Sequence, residues 1–243
     1  MASGSGPVAL VGSGEFLDQM VAVDAGLLDG RPPRVAILPT AASLEGSGRV
    51  NWWLELGRRH YGAMGVEVVA VPVGNRAEAD DPGLAGLIDE VGLVYLSGGD
   101  PHHLASSLRG SLVWRAIVAA WHGGAALAGC SAGAMALTSG APADLGPGGV
   151  RGSRGAGEPG LGLIGHLAVI PHFDLLEQRR PDIVEWFGGW QPAGTTLVGV
   201  EEDTALVGDD GGWQVQGKGA VWVFGEGEPE RFVDGEAVSL APP

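Results

Sequence analysis

The sequence predicts an α/β domain built on a mostly parallel, doubly wound sheet. Short apolar runs recur at Val8 to Val11, Val35 to Leu38, Val66 to Val71, Leu93 to Leu96, Ala125 to Ala128 and Leu167 to Ile170. Helix-compatible stretches and Gly or Pro turns separate them, which is the alternation of βαβ units. Polar residues follow the runs repeatedly, at Glu15, Thr40, Asp100, Ser131, His172 and Glu202. Open α/β sheets gather functional groups outside the carboxyl ends of their strands. If the six strands are parallel, these residues share one rim.

Each element has its own local warrant. Val8 to Val11 runs into Gly12-Ser13-Gly14-Glu15, and Phe16 to Leu28 reads as a helix. A dinucleotide fingerprint would need a third glycine where Leu17 stands, so a tight turn feeding a helix is the preferred reading. After Arg31-Pro32-Pro33 and the second strand, Val50, Trp53, Leu54, Gly57, Tyr61 and Met64 fall at helical spacing, with Arg58 and Arg59 outward. The adjacent tryptophans are expected in the core or under a loop. The third strand is rich in β-branched residues, and a weaker helix spans Asp80 to Glu90, starting near Pro82. The fourth strand ends in Ser97-Gly98-Gly99-Asp100-Pro101, and Leu104 to Leu108 and Leu112 to Trp121 are helical. Ser139 to Gly165 is a long Gly/Pro-rich stretch carrying Arg151, Arg154 and Glu158, the length at which an irregular loop is usually functional. The sixth strand ends in Pro171-His172-Phe173-Asp174, a short helix follows, and Pro181 starts another through Phe187. Leu197 to Val200 ends in Glu201-Glu202-Asp203. Ala205 to Val207, Trp213 to Val215 and Val221 to Phe224 then form a terminal β-meander at one edge of the sheet. No repeat or linker interrupts the chain, so residues 1–243 read as one domain.

Composition narrows the function classes. The 44 glycines and 16 prolines are about a quarter of the chain, near the range of low-complexity sequence. The 45% hydrophobic content and positive mean hydropathy favour a compact fold instead. The net charge is −15 and Lys218 is the only lysine. Without a basic stripe a nucleic-acid partner is not expected, and an acidic surface repels anionic membranes. One cysteine, Cys130, leaves no intramolecular disulfide, and Met1 to Gly6 lacks the regions of a signal peptide, so the expected location is cytoplasmic. Ala116 to Ala143 contains no charged side chain and imitates a membrane span. His122-Gly123-Gly124 breaks it into helix, turn, strand, turn and helix.

The chemistry centres on Gly129-Cys130-Ser131-Ala132-Gly133, which matches the G-x-S-x-G nucleophile elbow between a strand and a helix. The simpler alternative is a glycine-rich helix cap that contains a serine. Ser131 is the candidate nucleophile; Cys130 stands one place early and reads as a buried structural thiol. A serine hydroxyl needs a base, and the base needs a group that fixes its tautomer. His172 and Glu202 suit these parts, with Glu201, Asp203, Asp174 and Asp144 competing for the last. The order Ser, His, Glu differs from that of α/β-hydrolases. Asp100, His102 and His103 raise a metal site, but adjacent histidines diverge on any regular backbone, so neither a metal nor another cofactor is expected.

Together, Gly12-Ser13-Gly14-Glu15, Ser97-Gly98-Gly99-Asp100, Gly129-Cys130-Ser131-Ala132-Gly133-Ala134, Pro171-His172-Phe173 and Val200-Glu201-Glu202-Asp203-Thr204-Ala205 resemble, in order, the cyanophycinase and dipeptidase E family of serine peptidases. The resemblance implies a flavodoxin-like sheet similar to class I glutamine amidotransferases, with serine in place of their cysteine. It implies Ser131 as nucleophile, His172 as general base, and an oxyanion hole from Ala132 and the Gly98-Gly99 turn. The cyanophycinase branch suggests Glu202 as third member; the aspartyl dipeptidase branch, with its acid between serine and histidine, makes Asp144 the rival. Asp100, Asp174 and Arg179 would bind substrate. Pro101-His102-His103 replaces the glutamine that follows Gly-Gly-Asp in cyanophycinases, and dipeptidases carry asparagine at the aspartate. The arginine-rich segment after His-Phe is reduced to Arg179 and Arg180. The implied activity is hydrolysis of a small peptide or isopeptide-like amide, with an amidohydrolase or esterase and a non-catalytic ligand-binding relative as alternatives. Homodimerisation is left open.

Overall fold

The computed structural model describes residues 4–140, 159–188, 194–225 and 227–243. Asp144, Arg151, Arg154 and Glu158 lie outside the described residues. In chain order the elements are β1 (Val8–Val11), α1 (Val21–Leu28), β2 (Arg34–Leu38), α2 (Ser47–Ala63), β3 (Glu67–Ala70), α3 (Arg76–Ala79), α4 (Pro82–Gly86), β4 (Leu93–Leu96), α5 (Pro101–Leu108), α6 (Leu112–His122), β5 (Ala126–Cys130) and α7 (Ala132–Leu137). They continue with β6 (Leu167–Pro171), α8 (Phe173–Arg179), α9 (Ile183–Gly188), β7 (Thr196–Val200), β8 (Thr204–Asp209), β9 (Gly212–Gly217), β10 (Ala220–Phe224), β11 (Glu230–Val233) and β12 (Ala237–Val238).

The main sheet has eight strands in the order β12-β9-β8-β1-β5-β4-β2-β3. Its β1, β5, β4, β2 and β3 are mutually parallel. Fully buried apolar strands are what a sheet covered on both faces requires, and every residue of β1, β4 and β5 is buried. Alternation along each strand assigns the faces. Val8, Leu10 and Leu127 join Leu104, Ile117 and Leu137 from α5, α6 and α7. Ala9, Val11 and Ala128 face Val23, Leu27, Leu54 and Tyr61 from α1 and α2. The fold is therefore a mixed α/β architecture with a large, mostly parallel central sheet between helical layers.

Two expectations about the rim are corrected. β6 and β7 leave the main sheet and pair in parallel within a second sheet of order β11-β10-β7-β6. The terminal meander also divides: β8, β9 and β12 extend the main sheet beside β1, while β10 and β11 join β7. Burial explains the second sheet. Leu167, Val169, Val198 and Val200 enter the core shared with α7, and Ala168, Ile170 and Leu197 face Phe173, Ile183 and Phe187 from α8 and α9. β6 and β7 thus each have two apolar faces to cover.

Smaller departures have local causes. The expected helix from Phe16 begins instead with a 3-10 turn at Asp18–Met20, because Phe16 takes a positive φ of 63° and turns its ring inward. That ring packs against Trp53, Tyr61 and Tyr95. Trp52 is 44% exposed rather than in the core. β5 continues through Gly129 and Cys130, paired with Leu10 and Val11.

α1 and α2 are joined by a buried polar group. Asp24 accepts from the Tyr61 hydroxyl at 3.1 Å and contacts His60 Nε2 at 2.7 Å. Burial pushes the Asp24 carboxyl above its ordinary range, and the bonds to His60 and Tyr61 oppose that only in part.

These packing relations give two expected outcomes. A Cβ on Gly199 would lie 2.5 Å from the Phe173 ring, which is fully buried. Gly199→Ala should cost about 1–3 kcal/mol of stability and lower Tm by roughly 2–4 °C per kcal/mol in calorimetry; an unchanged Tm would mean that the Phe173 ring yields freely. The second concerns pH. Above the ordinary value of 3.8 and below its raised native value, Asp24 holds a proton that the unfolded chain has released. Stability should therefore fall as pH rises through that window. Urea unfolding across pH should show a flatter profile for Asp24→Asn, and an identical slope in both proteins would refute the assignment.

Candidate active site

The elbow forms because two glycines let chain segments meet. A Cβ on Gly129 would stand 2.5 Å from the Gly133 carbonyl carbon, and one on Gly133 would stand 2.3 Å from the Leu96 oxygen. With these contacts closed, β5 turns directly into α7 and Ser131 takes φ 50° and ψ −108°, a conformation that L-residues rarely adopt. Its N–H donates to the Val11 carbonyl at 2.9 Å, extending the β1–β5 ladder into the turn.

His172 follows β6 with φ 53°, in the left-handed region. The next residue, Phe173, is locked among Phe187, Trp222 and Phe224. Glu202 follows β7. Because β6 and β7 are parallel neighbours with Pro171 opposite Val200, the residues after both strands emerge side by side. β1 completes the alignment: its far edge pairs with β8, and the Gly12 N–H donates to the Thr204 carbonyl at 2.9 Å. One short strand therefore holds the elbow on one side and the loop carrying Glu202 on the other.

The three side chains meet in a line. His172 Nε2 lies 3.0 Å from Ser131 Oγ, and His172 Nδ1 lies 2.9 Å from Glu202 Oε1. A neutral imidazole with its proton on Nδ1 donates to the carboxylate and accepts from the hydroxyl. The histidine and glutamate side chains are 39% and 37% exposed, so the line opens to solvent.

The competing carboxylates have other partners. Glu201 accepts from the Ala220 N–H at 2.8 Å and the Trp222 indole at 3.1 Å, and Arg231 stands 3.6 Å away. Asp203 accepts from Gln19 at 3.1 Å. Asp174 accepts the Glu202 N–H at 3.0 Å and so steadies the loop under the acid. Asp144 lies outside the described residues. Of the other expected substrate residues, Asp100 caps α5 by accepting the His103 N–H at 2.8 Å. Arg179 is exposed in the last turn of α8. His103 is engaged by Ser43 at 2.7 Å and the Gly74 carbonyl at 2.9 Å. Among the described residues, no group of three or more His, Cys, Asp or Glu is arranged to hold a metal.

A cavity of about 270 Å³ opens beside Ser131 and His172, lined also by Glu15, Glu45, Arg49, Trp53, Gly98 and Gly99. A larger groove of about 520 Å³ over α1 and α2 is lined by none of the three aligned residues and holds no nucleophile. The small cavity is the one that bears on chemistry. Glu15 is buried there and joins two expected site elements. Its Oε1 accepts the Gly98 N–H at 3.1 Å, and its Oε2 accepts the Cys130 thiol at 2.8 Å. The N–H groups of Gly99 and Ala132 meet no acceptor among the described residues. Burial, then the Glu15 charge, pushes the Cys130 thiol well above its usual range, so it stays a protonated, unreactive group.

Arg49 and Trp53, one helical turn apart on α2, were not legible as site residues. The Arg49 guanidinium stacks over Trp52 at 4.4 Å and Trp53 at 5.2 Å. Its Nε is 3.5 Å from Glu45, yet both that Nε and the Trp53 indole N–H are buried without a hydrogen-bond partner. The available signal was the Arg-x-x-Trp-Trp spacing, which puts a cation and two rings on adjoining helical faces.

No helix among the described residues is long and apolar enough to cross a membrane. No curated sequence relative matches the chain. A crystal structure of a peptidase from an acI-B1 Actinobacterium is similar, with 35% identity, TM-score 0.86 and 98% of each chain covered. A putative peptidase E from Listeria monocytogenes shares the fold at 16% identity and TM-score 0.59, over 88% of this chain and 99% of that one. The model of peptidase family S51, the peptidase E and cyanophycinase family, matches residues 9–216. With that match spanning most of its length, the chain belongs to peptidase family S51.

Proposed function

We propose that this hydrolase is a serine peptidase that cleaves a small peptide or isopeptide-like amide through Ser131, His172 and Glu202. The carrying observation is the imidazole bonded on one side to Ser131 Oγ and on the other to Glu202. Ser131 Oγ attacks the scissile carbonyl as His172 Nε2 takes its proton. Glu202 holds the ring in the tautomer with Nδ1 protonated and stabilises the imidazolium. The Gly99 and Ala132 N–H groups are the free donors for the developing oxyanion, each of a kind worth about 10²–10³ in rate. Gly98, also expected in that role, already donates to Glu15. Collapse of the tetrahedral intermediate expels the amine, which receives the proton from His172. Water then attacks the acyl-enzyme by the same proton path, releasing the acid and restoring Ser131.

The neighbouring thiol stands apart from this chemistry. Cys130 is fully buried and points into Glu15, so it supports the nucleophile by packing rather than by reaction.

Ser131→Ala should retain the circular dichroism spectrum and lose both hydrolysis of a dipeptide panel and labelling by a fluorophosphonate. A wild-type protein that is inert to the probe yet stabilised by peptides would instead be a binding relative. Glu202→Gln should lower kcat/KM by about 10²–10⁴-fold, the span of the general-base contribution of the His172 ring that it orients; full activity in that variant would remove Glu202 from the mechanism. Iodoacetamide should leave activity intact, because the only thiol is shielded.

A further inference from the structure

The groove of about 520 Å³ over α1 and α2 lies apart from Ser131, His172 and Glu202, and the proposed reaction makes no use of it. One wall is a single face of α2, where Leu56, Arg59, His60 and Ala63 follow at helical spacing. The other wall is the segment that leads into α1, with Leu17 and, at the helix start, Val21. We propose that this groove binds a small amphipathic carboxylate, its head on His60 and Arg59 and its apolar body along Leu17, Val21 and Leu56. The proposal stands independently of the serine-peptidase reading.

The head is placed by a buried donor. The His60 side chain is 3% exposed, and Phe16 and Tyr61 pack against its ring at centroid distances of 6.2 and 4.9 Å. Its Nε2 faces Asp24 at 2.7 Å, while its Nδ1 has no hydrogen-bond partner among the described residues. His60 lines the groove, so a ligand lying there can meet that atom. Asp24 is 2% exposed, and a lone negative charge there would be unfavourable, so the pair is favoured with a proton between its members. Burial acting on the Asp24 carboxyl works in the same direction. Whichever partner carries that proton, the ring's other proton sits on Nδ1, as an N–H without an acceptor. Arg59, one residue earlier, is 65% exposed and held only by Glu55 at 4.0 Å, a weak surface pair. A guanidinium and an imidazole N–H on one helix suit a carboxylate. Asp18 is the acidic residue on the lining. It stands exposed on the opposite wall, which places the head on the α2 side.

The body is placed by apolar surface left in water. Leu17 and Val21 are 40% and 38% exposed, and both line the groove. Single exposed apolar side chains need no explanation. Here two of them border one opening whose walls also carry Phe16, Leu56 and Met64. Apolar walls with a few convergent polar groups, one of them tied to a carboxyl shifted by burial, are the ordinary make-up of a small-molecule site. The volume of about 520 Å³ suits one small ligand, since such cavities span roughly 300–1,000 Å³.

Calorimetric titration of the whole protein with phenylbutyrate, octanoate, phenylbutanol and acetate separates head from body. Phenylbutanol, which keeps the body, should bind about 10- to 100-fold more weakly than phenylbutyrate, the worth of hydrogen bonds to charged groups. Acetate, which keeps the head, should lose a similar factor through the missing apolar area. Arg59→Gln and His60→Phe should each shrink the preference for acid over alcohol towards one, and Leu17→Ser should weaken both ligands alike. Asp24→Asn should keep the preference, because its amide N–H can donate to Nε2 and leave the ring proton on Nδ1. If His60→Phe fails to fold, heteronuclear NMR of the histidine rings in the unaltered protein reads the same contact. The His60 Nδ1 signal should then shift with phenylbutyrate and stay in place with phenylbutanol. Equal affinity for acid and alcohol, or no saturable binding by either phenylbutyrate or octanoate, overturns the proposal. So does binding that Arg49→Met removes and Arg59→Gln leaves intact, which would move the ligand to the cavity beside Ser131.

Discussion

The structure depends on the close passage of backbone at Gly129 and Gly133. Where most strand-to-helix turns spread over several residues, this one must be made at Ser131 alone, because β5 is paired as far as Cys130 and α7 begins at Ala132. Such a turn stores strain, of order 1–3 kcal/mol for a residue in a sparsely populated conformation. The surrounding contacts hold it there. Val11 takes the Ser131 N–H, and the Leu96 carbonyl lies against Gly133. The strain has a use: it stands the hydroxyl clear of the sheet and leaves the Ala132 N–H without an acceptor among the described residues.

The same economy governs the partners. His172 and Asp203 also take positive φ values, near 53°. Each follows or flanks a strand end whose register is set by neighbours: β6 by β7, and β8 by β1. The aligned side chains therefore come from two different sheets, with β5 in one and β6 and β7 in the other. Their distances report how the sheets pack, through α7 and the loop from Glu201 to Asp203. A substitution far from Ser131 can reach the site by this route, as Phe173 does by anchoring the residue after His172.

Much of this was legible in the residues, and the reasons for the rest are physical. The parallel strands, the elbow and the polar strand ends follow from local patterns of two to ten residues. The division into two sheets does not, because β6 and β7 carry the same doubly apolar signature as β1 and β5; only tertiary packing decides which neighbour each strand chooses. Asp100 shows how one residue carries two local signals. Asp followed by Pro is a helix start, and its carboxylate serves that cap, although its place after Gly98-Gly99 suggested substrate. Arg49 and Trp53 lay hidden in a helix whose periodicity was read for its buried face. Their place on the cavity wall is set by how α2 approaches Gly98 and Ser131, a relation between segments about fifty to eighty residues apart in sequence that no local pattern encodes.

Glu15 shows how these levels join. In the sequence it is one polar residue after a glycine turn. In the fold, its two oxygens tie the β1 loop to the β4 loop at Gly98 and to the elbow at Cys130. One buried side chain thus braces the Gly98 turn against the elbow, and both segments border the cavity beside Ser131. The arrangement could not be read from Glu15 alone, because Gly98 and Cys130 lie 83 and 115 residues away in sequence.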